Sequence, residues 1–134
     1  MAPNGLITVA SNFPATETID RLEAEVRARG MTVFARIDHA AGAAQVGLDL
    51  RPTEVVIFGN ARGGTPLMRA AQTIGIDLPL KALVSEDATG KVWLSYNDPN
   101  WLAQRHELGA EIAQPISTLT AMLAAIAAKT TAPP

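Results

Sequence analysis

Cysteine is absent from this chain of 134 residues. The absence excludes disulfide bonds, thiolate zinc sites and cysteine nucleophiles together. It is typical of proteins in a reducing compartment. The opening segment, Met1-Ala2-Pro3-Asn4, also lacks the basic and apolar pattern of a signal peptide. We therefore expect a cytoplasmic location.

Basic charge and aromatic side chains are scarce as well. The chain has 11 lysines and arginines against 13 acidic residues, and its aromatic content is 4%. Domains that bind nucleic acid usually carry a basic stripe, and single strands are held by stacking on aromatic rings. No apolar run approaches the roughly 20 residues of a membrane span. We expect neither a nucleic-acid partner nor a membrane partner.

The length of 134 residues and the hydrophobic content of 48% suit a single domain with its own core. Within residues 1–134 we find no internal repeat and no linker between domains. The last residues, 130–134, are rich in threonine and proline and are predicted to be frayed.

The spacing of apolar residues predicts about five strands and five helices. Glu54–Phe58 is almost continuously apolar, which is typical of a strand buried on both faces at the centre of a sheet. Thr65 is predicted to cap the third helix and Pro66 to be its first residue. The predicted strands cover residues 6–10, 32–37, 54–58, 80–86 and 91–96, and the helices begin near residues 14, 39, 66, 99 and 115.

The fold class follows from the last two strands. They flank Asp87-Ala88-Thr89-Gly90, which is a strong hairpin signal, and a hairpin excludes a purely parallel sheet. We predict an α+β fold in which a mixed, mostly antiparallel sheet of about five strands has helices packed on one face. An α/β fold is the alternative.

The densest chemical signal is the glycine-rich segment Gly59–Thr65, which leaves a strand and enters a helix. Free N–H groups at a helix N-terminus favour an anion, and Arg62 adds a side chain suited to carboxylate or phosphate. The segment matches neither a P-loop nor a dinucleotide fingerprint, so a tight turn without a ligand is the alternative. The candidate ligand-binding residues are Gly59, Asn60, Arg62, Gly63, Gly64 and Thr65.

Polar residues elsewhere add further candidates. Asp38 is placed to orient His39 for acid–base work, or to cap the next helix. Tyr96 and His106 carry polar tips on apolar bodies, which suits either packing or ligand contact. Lys81 is either a snorkelling lysine on an edge strand or a charge that points into a cleft. We take Lys81 and Tyr96 as candidate ligand contacts, and Asp38, His39 and His106 as candidate catalytic residues.

A metal site and a hydrolase triad have little support. His39 and His106 with Asp38 or Glu86 would supply enough ligands, but no His-x-x-x-His or His-Glu-x-x-His spacing occurs. No Gly-x-Ser-x-Gly segment is present either. We predict no metal and no cofactor.

Four ordered segments carry a resemblance to a known family: Ile37–Ala41, Phe58–Asn60 with Gly64–Met68, Asp77–Lys81, and Tyr96–Pro99 with Leu102 and Arg105-His106, within about residues 6–126. They resemble those of the domain-of-unknown-function family numbered 302. The resemblance implies a small α+β domain with a curved sheet covered by helices, a tendency to form homodimers, and no established activity. Where the family usually has Asn-Pro after Phe-Gly, this chain has Asn60-Ala61, so we expect a more mobile loop because alanine does not fix φ.

These observations leave three functional hypotheses. The leading one is a homodimer that binds a small polar or anionic metabolite near Gly59–Thr65. The second is an enzyme in which His39 or His106 is the general base and Asp38 orients it. The third is a structural or interaction module. The residue pattern alone does not decide whether the protein is an enzyme.

Overall fold

Five strands and five α-helices make up most of the described chain, residues 4–133 of a computed structural model. Met1–Pro3 and Pro134 lie outside the described residues. The signal-peptide prediction, which concerns residues 1–4, and the tail prediction, which concerns residues 130–134, therefore fall partly outside them. The strands are β1 (Leu6–Ala10), β2 (Thr32–Asp38), β3 (Thr53–Gly59), β4 (Leu80–Glu86) and β5 (Val92–Asn97). The helices are α1 (Ala15–Ala28), α2 (His39–Gln45), α3 (Ala61–Ala70), α4 (Pro99–Arg105) and α5 (Ala113–Thr131), with 3₁₀ turns at Gln72–Ile76 and Ala110–Ile112.

The strands form one sheet in the order β1-β5-β4-β3-β2, and all four pairings are antiparallel. The predicted α+β fold is confirmed. The described strands include no parallel pair, so the sheet is antiparallel throughout rather than mixed. The reason is that α1 carries the chain from β1 at one edge to β2 at the other edge, which keeps these two strands apart.

One side of the sheet, here called the covered face, packs against α1 and α5. Its side chains alternate along the strands and are buried, as expected for the inward side of an antiparallel sheet. Removal of this apolar area from water is the main stabilisation of the fold. The covered face comprises Val56, Phe58, Ala82, Val84, Leu94 and Tyr96, which cluster with Ile19, Leu22 and Val26 of α1 and with Leu123 and Ile126 of α5.

The opposite side, here called the open face, is not covered by α1 or α5. The register places Val55 beside Ile37 and Leu83, and Ile57 beside Lys81. Ile37 is 43% exposed, and the other three apolar residues are half-buried. A solvated face of an antiparallel sheet usually carries polar side chains. Lys81, Ser85 and Ser95 also lie on this face, so it is the apolar patch around Val55 that needs an explanation.

The prediction that β3 is a central strand buried on both faces was wrong. β4 is the central strand, and β3 lies between β4 and the edge strand β2. Val56 and Phe58 are fully buried, whereas Val55 and Ile57 are half-buried on the open face. The apolar run of β3 therefore combines one face in the core with one face that lacks a covering helix.

The prediction that Thr65 and Pro66 open the third helix was also wrong, because α3 begins at Ala61. Asn60 is extended and is the N-cap, and the Gly63 N–H donates to its Oδ1 at 2.7 Å. Pro66 lies within the helix and removes one backbone hydrogen bond. Burial of Leu67, which is 2% exposed, and the Asn60 cap outweigh that loss.

Helix α5 is more apolar than expected. With the preceding 3₁₀ turn it forms the stretch Ala110–Thr131, whose mean hydropathy is 1.3. By length and composition alone, this stretch could cross a membrane. The expectation that no such stretch occurs was wrong. In the structure Ile116, Leu123 and Ile126 of this stretch pack into the core clusters, and 28% of the apolar window is buried.

The predicted frayed tail begins too early, since α5 continues to Thr131. Thr130 is 0% exposed and Thr131 is 3% exposed. Asn12 Nδ2 donates to the Thr131 carbonyl at 2.8 Å, and Arg21 Nε donates to the Thr130 carbonyl at 3.0 Å. These hydrogen bonds satisfy carbonyls that the end of a helix leaves without partners, and they hold residues 130 and 131 in place.

Candidate functional site

A cavity of about 600 Å³ lies beside the first turns of α3. Its walls come from the start of β2, the junction of β3 with α3, the segment before β4 and the N-terminal half of α5. Lining residues such as Phe34 and Thr118 are exposed, so the cavity opens to solvent. Its volume lies in the range usual for sites that bind small molecules.

The cavity wall is mainly apolar. It includes the three methionines of the described residues, Met31, Met68 and Met122, and methionine adapts well to irregular ligand shapes. Met68 packs beside Gly64 and Gly75, where a β-carbon would make ordinary van der Waals contacts of 3.5 Å with its Cε and 3.4 Å with its Sδ, respectively. The other large apolar lining residues are Phe34, Leu67, Leu78, Leu80 and Leu119.

Arg62 is the one charged side chain among the described residues that line the cavity. It is exposed in the first turn of α3, and it forms no ion pair with any residue of 4–133. The N-terminal end of a helix carries partial positive charge. Arg62 and the start of α3 therefore place positive potential at an otherwise apolar cavity.

Six of the predicted ligand contacts meet at this cavity, and two do not. At Gly59 the backbone turns into the loop with φ 154°, a conformation that favours glycine. Lys81 and Tyr96 are absent from the lining. The lining includes Gly59, Asn60, Arg62, Gly63, Gly64 and Thr65.

Tyr96 lies on the covered face and is 7% exposed. Its burial, with a smaller contribution from the nearby charge of Asp98, raises the pKa of the phenol. Asp98 in turn caps α4, accepting the Asn100 N–H at 2.9 Å. The structure therefore gives Tyr96 a packing position in the core.

Lys81 lies on β4, so the edge-strand interpretation of this lysine was wrong. Its side chain is half-buried beside Ile57 on the open face. The Nζ group donates to the carbonyl of Pro79 at 3.4 Å. Lys81 is thus a cation on the open face that does not itself line the cavity, although Pro79, which it contacts, does.

Asp38 and His39 lie at the junction of β2 with α2. The Ala41 N–H donates to Asp38 Oδ1 at 2.9 Å, so Asp38 is the N-cap of α2. His39 is exposed and has no side-chain hydrogen bond to any residue of 4–133. The geometry within the described chain does not make Asp38 the orienting partner of either histidine.

His106 has partners that sequence reasoning missed. Its Nε2 lies 2.5 Å from Asp77 Oδ2, and its Nδ1 lies 2.9 Å from Thr73 Oγ1. Arg105 also donates to both carboxylate oxygens of Asp77, at 3.0 and 3.1 Å. Asp77 and His106 both belong to segments that carried the family resemblance, but nothing in the spacing indicated that they pair.

Metal ligation has no geometric support in the described chain. Within residues 4–133 no three His, Asp or Glu side chains come together as a ligand set. Among the described residues the ring of His106 is hydrogen-bonded to Thr73 and Asp77, and His39 bonds to neither.

Comparison with known proteins decides the family. The model of the domain of unknown function DUF302 matches residues 7–126. The chain belongs to the DUF302 family. The resemblance drawn from the four segments is thereby confirmed. An uncharacterised DUF302 protein from Bacillus stearothermophilus has the same fold, with a TM-score of 0.83 at 20% sequence identity over 94% of this chain and 98% of that one.

Curated relatives of this DUF302 chain carry a more specific name. The fluoride-specific ion channel FluC 1 of Brucella suis biovar 1 (strain 1330) is 57% identical over 106 residues, which are 79% of this chain and 42% of that protein. FluC 2 of Brucella melitensis biotype 1 is also 57% identical over 106 residues, with 39% of its length covered. This DUF302 chain thus spans about two fifths of the length of the curated relatives it matches.

Proposed function

We propose that this DUF302 domain binds a small molecule that has an apolar body and one acidic group. The observation that carries the proposal is the cavity of about 600 Å³ whose lining combines apolar side chains with Arg62. Most small-molecule sites have this composition, in which apolar walls supply affinity and few polar groups fix orientation.

The apolar wall restricts the ligand class that the sequence predicted. A polar metabolite would lose its hydration against Met31, Leu80 and Met122 without regaining hydrogen bonds. A ligand with an apolar body gains free energy by leaving water. The binding hypothesis is therefore narrowed from any polar or anionic metabolite to an amphipathic acid.

Arg62 is the residue proposed to hold the acidic group. A guanidinium matches the geometry of a carboxylate, with two parallel hydrogen bonds. The start of α3 adds positive potential. Asn60 serves as the cap of α3 through its Oδ1, so its contribution is to hold the loop in shape.

Binding is tested with two probes: anilinonaphthalene sulfonate, followed by fluorescence, and decanoate, followed by thermal shift. Thr118→Trp places a large side chain in the cavity and is expected to abolish binding of both probes. Ser117→Trp is the matched control, because Ser117 is also exposed on α5 but does not line the cavity.

The role of Arg62 is tested with the same probes. Arg62→Gln is expected to weaken binding about 10-fold or more, in line with the loss of a charge-assisted hydrogen bond. Arg69→Gln, at the exposed end of the same helix, is expected to bind as the native chain does. Equal binding by native chain, Thr118→Trp and Arg62→Gln would place the site elsewhere.

The open face supports the second part of the leading hypothesis, a homodimer. An exposed apolar patch that includes Ile37, Val55 and Leu83 is stabilised when the same patch of a second copy covers it. Light scattering is expected to give twice the chain mass, and Ile37→Lys is expected to reduce it to one chain mass. Ala24→Lys, on the exposed side of α1, is the control. A mass near 14.1 kDa at all concentrations would rule out the dimer.

The Brucella relatives favour a second candidate function, in which the domain is associated with a membrane channel. In them a domain 57% identical to this one forms part of proteins named fluoride-specific ion channels. We infer that this domain also works beside a channel of that class, as a ligand-binding companion. The purified chain is expected to bind lipid vesicles that contain the channel portion of the Brucella suis protein, and to change the rate of fluoride release read by an electrode. Equal binding to vesicles without channel would contradict the inference.

A further inference from the structure

A second site lies outside the cavity, where the 3₁₀ turn Gln72–Ile76 meets the end of α4. Thr73, His106 and Asp77 form a continuous hydrogen-bonded line, with distances of 2.9 Å from Thr73 Oγ1 to His106 Nδ1 and 2.5 Å from His106 Nε2 to Asp77 Oδ2. A hydroxyl, an imidazole and a carboxylate in this order are the components of an activated nucleophile.

The direction of each hydrogen bond in this line follows from the chemistry of the groups. An ionised carboxylate only accepts, so the Nε2 of His106 carries the hydrogen that Asp77 accepts. In a neutral imidazole the other nitrogen is then a lone-pair acceptor. In that neutral form Thr73 donates its hydroxyl proton to Nδ1. The imidazole is already placed to take the proton that a nucleophilic threonine has to lose.

The surroundings hold the base rigid and leave the hydroxyl accessible. The side chain of His106 is 6% exposed and that of Asp77 is 14% exposed, whereas Thr73 is exposed. Arg105 donates to both oxygens of Asp77, which fixes the carboxylate. Substrate can therefore approach Thr73 from solvent while the proton acceptor stays shielded behind it.

We infer that Thr73 is an acyl-accepting nucleophile, with His106 as its general base and Asp77 as the positioning residue. In the reaction with a carboxylic ester, Thr73 Oγ bonds to the carbonyl carbon while its proton passes to His106 Nδ1. The bond from that carbon to the leaving oxygen then breaks, and the alcohol departs with the proton from His106. Water repeats the two steps on the threonine ester and releases the acid, so no other reactant is required.

The test uses p-nitrophenyl acetate with the full chain. One acetyl group is expected on Thr73 by peptide mass spectrometry, together with release of p-nitrophenol. Thr73→Val and His106→Gln are each expected to lower the acylation rate about 100-fold or more, in the range of general acid–base contributions. Thr73→Ser is expected to retain acylation at that position, since it keeps the hydroxyl.

Thr89→Val is the matched control, because the exposed Thr89 hydroxyl donates to the carboxylate of Asp87 rather than to an imidazole. It is expected to react as the native chain does. The exposed position of Thr73 means that Thr73→Val and Thr73→Ser test the inference even if His106→Gln fails to fold. Acylation found only at other residues, or an unchanged rate in Thr73→Val, would overturn it and leave the hydrogen-bonded line as a structural link between the 3₁₀ turn and α4.

Discussion

The two faces of the sheet are built from the same strands but have different surroundings. Phe58 is fully buried on the covered face, whereas its neighbour Ile57 is half-buried on the open face. Apolar area stabilises a fold only when it is removed from water. The covered face therefore holds the domain together, and the open face is available for association.

The largest expected effect is on the free energy of unfolding, and it distinguishes the covered face from the open face. Phe58→Ala is expected to lower the free energy of unfolding by about 3–5 kcal/mol, since it removes a fully buried ring and leaves a void. Ile57→Ala is expected to cost about 1 kcal/mol, in the range of substitutions outside the core. Urea unfolding at low protein concentration measures both. Equal losses would mean that the open face contributes to the core.

The next effect concerns the rim of the covered face. Arg36 of β2 forms ion pairs with Glu54 at 2.5 Å, Asp20 at 2.8 Å and Glu23 at 3.3 Å. Arg36→Met leaves these carboxylates facing one another and is expected to cost about 1–2 kcal/mol at neutral pH, because water screens part of the interaction. Arg69→Gln is the control, and urea unfolding is the measurement.

The same site predicts a pH dependence. Hydrogen bonds from Arg27 and then from Arg36 hold the pKa of Glu23 below its usual value. A carboxyl whose pKa is lowered in the folded state adds stability above its unfolded pKa, about 4.3, and loses it as the pH falls. The native chain should therefore lose stability below about pH 4.5, and Arg36→Met should lose less. Parallel pH profiles would contradict this account.

A smaller effect is expected on the open face, at the hairpin between β4 and β5. Asp87 accepts hydrogen bonds from Trp93 Nε1 at 2.9 Å and from the Thr89 hydroxyl at 2.7 Å. These bonds, that of Trp93 first, hold the pKa of Asp87 well below its usual range. The stability that they add is present above about pH 4 and lost as the pH falls. Asp87→Asn is expected to flatten the pH dependence seen in tryptophan fluorescence, and an unchanged slope would contradict it.

The smallest expected effect is a gain in stability rather than a loss. It concerns the junction between β3 and α3. Ala61 is the first residue of α3, a position that suits proline, and Asn60 has the extended backbone that a residue before proline adopts. Ala61→Pro is expected to raise the free energy of unfolding by about 0.4–1 kcal/mol. Ala70→Pro, at the other end of α3, is expected to lower it. Loss of stability in Ala61→Pro would show that the loop needs a freer φ.

The strands were the most predictable part of the molecule. β1 (Leu6–Ala10) and β4 (Leu80–Glu86) have their predicted bounds, because short apolar segments between turn residues carry a clear signal. The hairpin at Asp87–Gly90 was equally clear. What the pattern could not supply was the neighbour of each strand face, and this is why β3 was assigned to the centre.

The candidate site was predicted in part. Gly59–Thr65 does line the cavity, since a turn between a strand and a helix is a local feature. The start of α3 was misplaced because two glycines and Pro66 suggest a loop. The helix is stabilised instead by the Asn60 cap and by the burial of Leu67, which depend on contacts that the sequence pattern does not show. The pairing of Asp77 with His106 depends on tertiary structure across 29 positions, and no local pattern reports it.

The sheet order also has a consequence for the synthesis of the chain. Ile7 pairs with Tyr96 and Val9 with Leu94, whereas β2, β3, β4 and β5 pair with neighbours that follow directly along the chain. Pairings between distant segments require the closure of long loops and form slowly. During synthesis the meander from β2 to β5 can assemble strand by strand, while β1, the first strand of this sheet to be made, can pair only after β5 has been made. The sheet is therefore completed at its β1 edge, where its earliest strand meets its last.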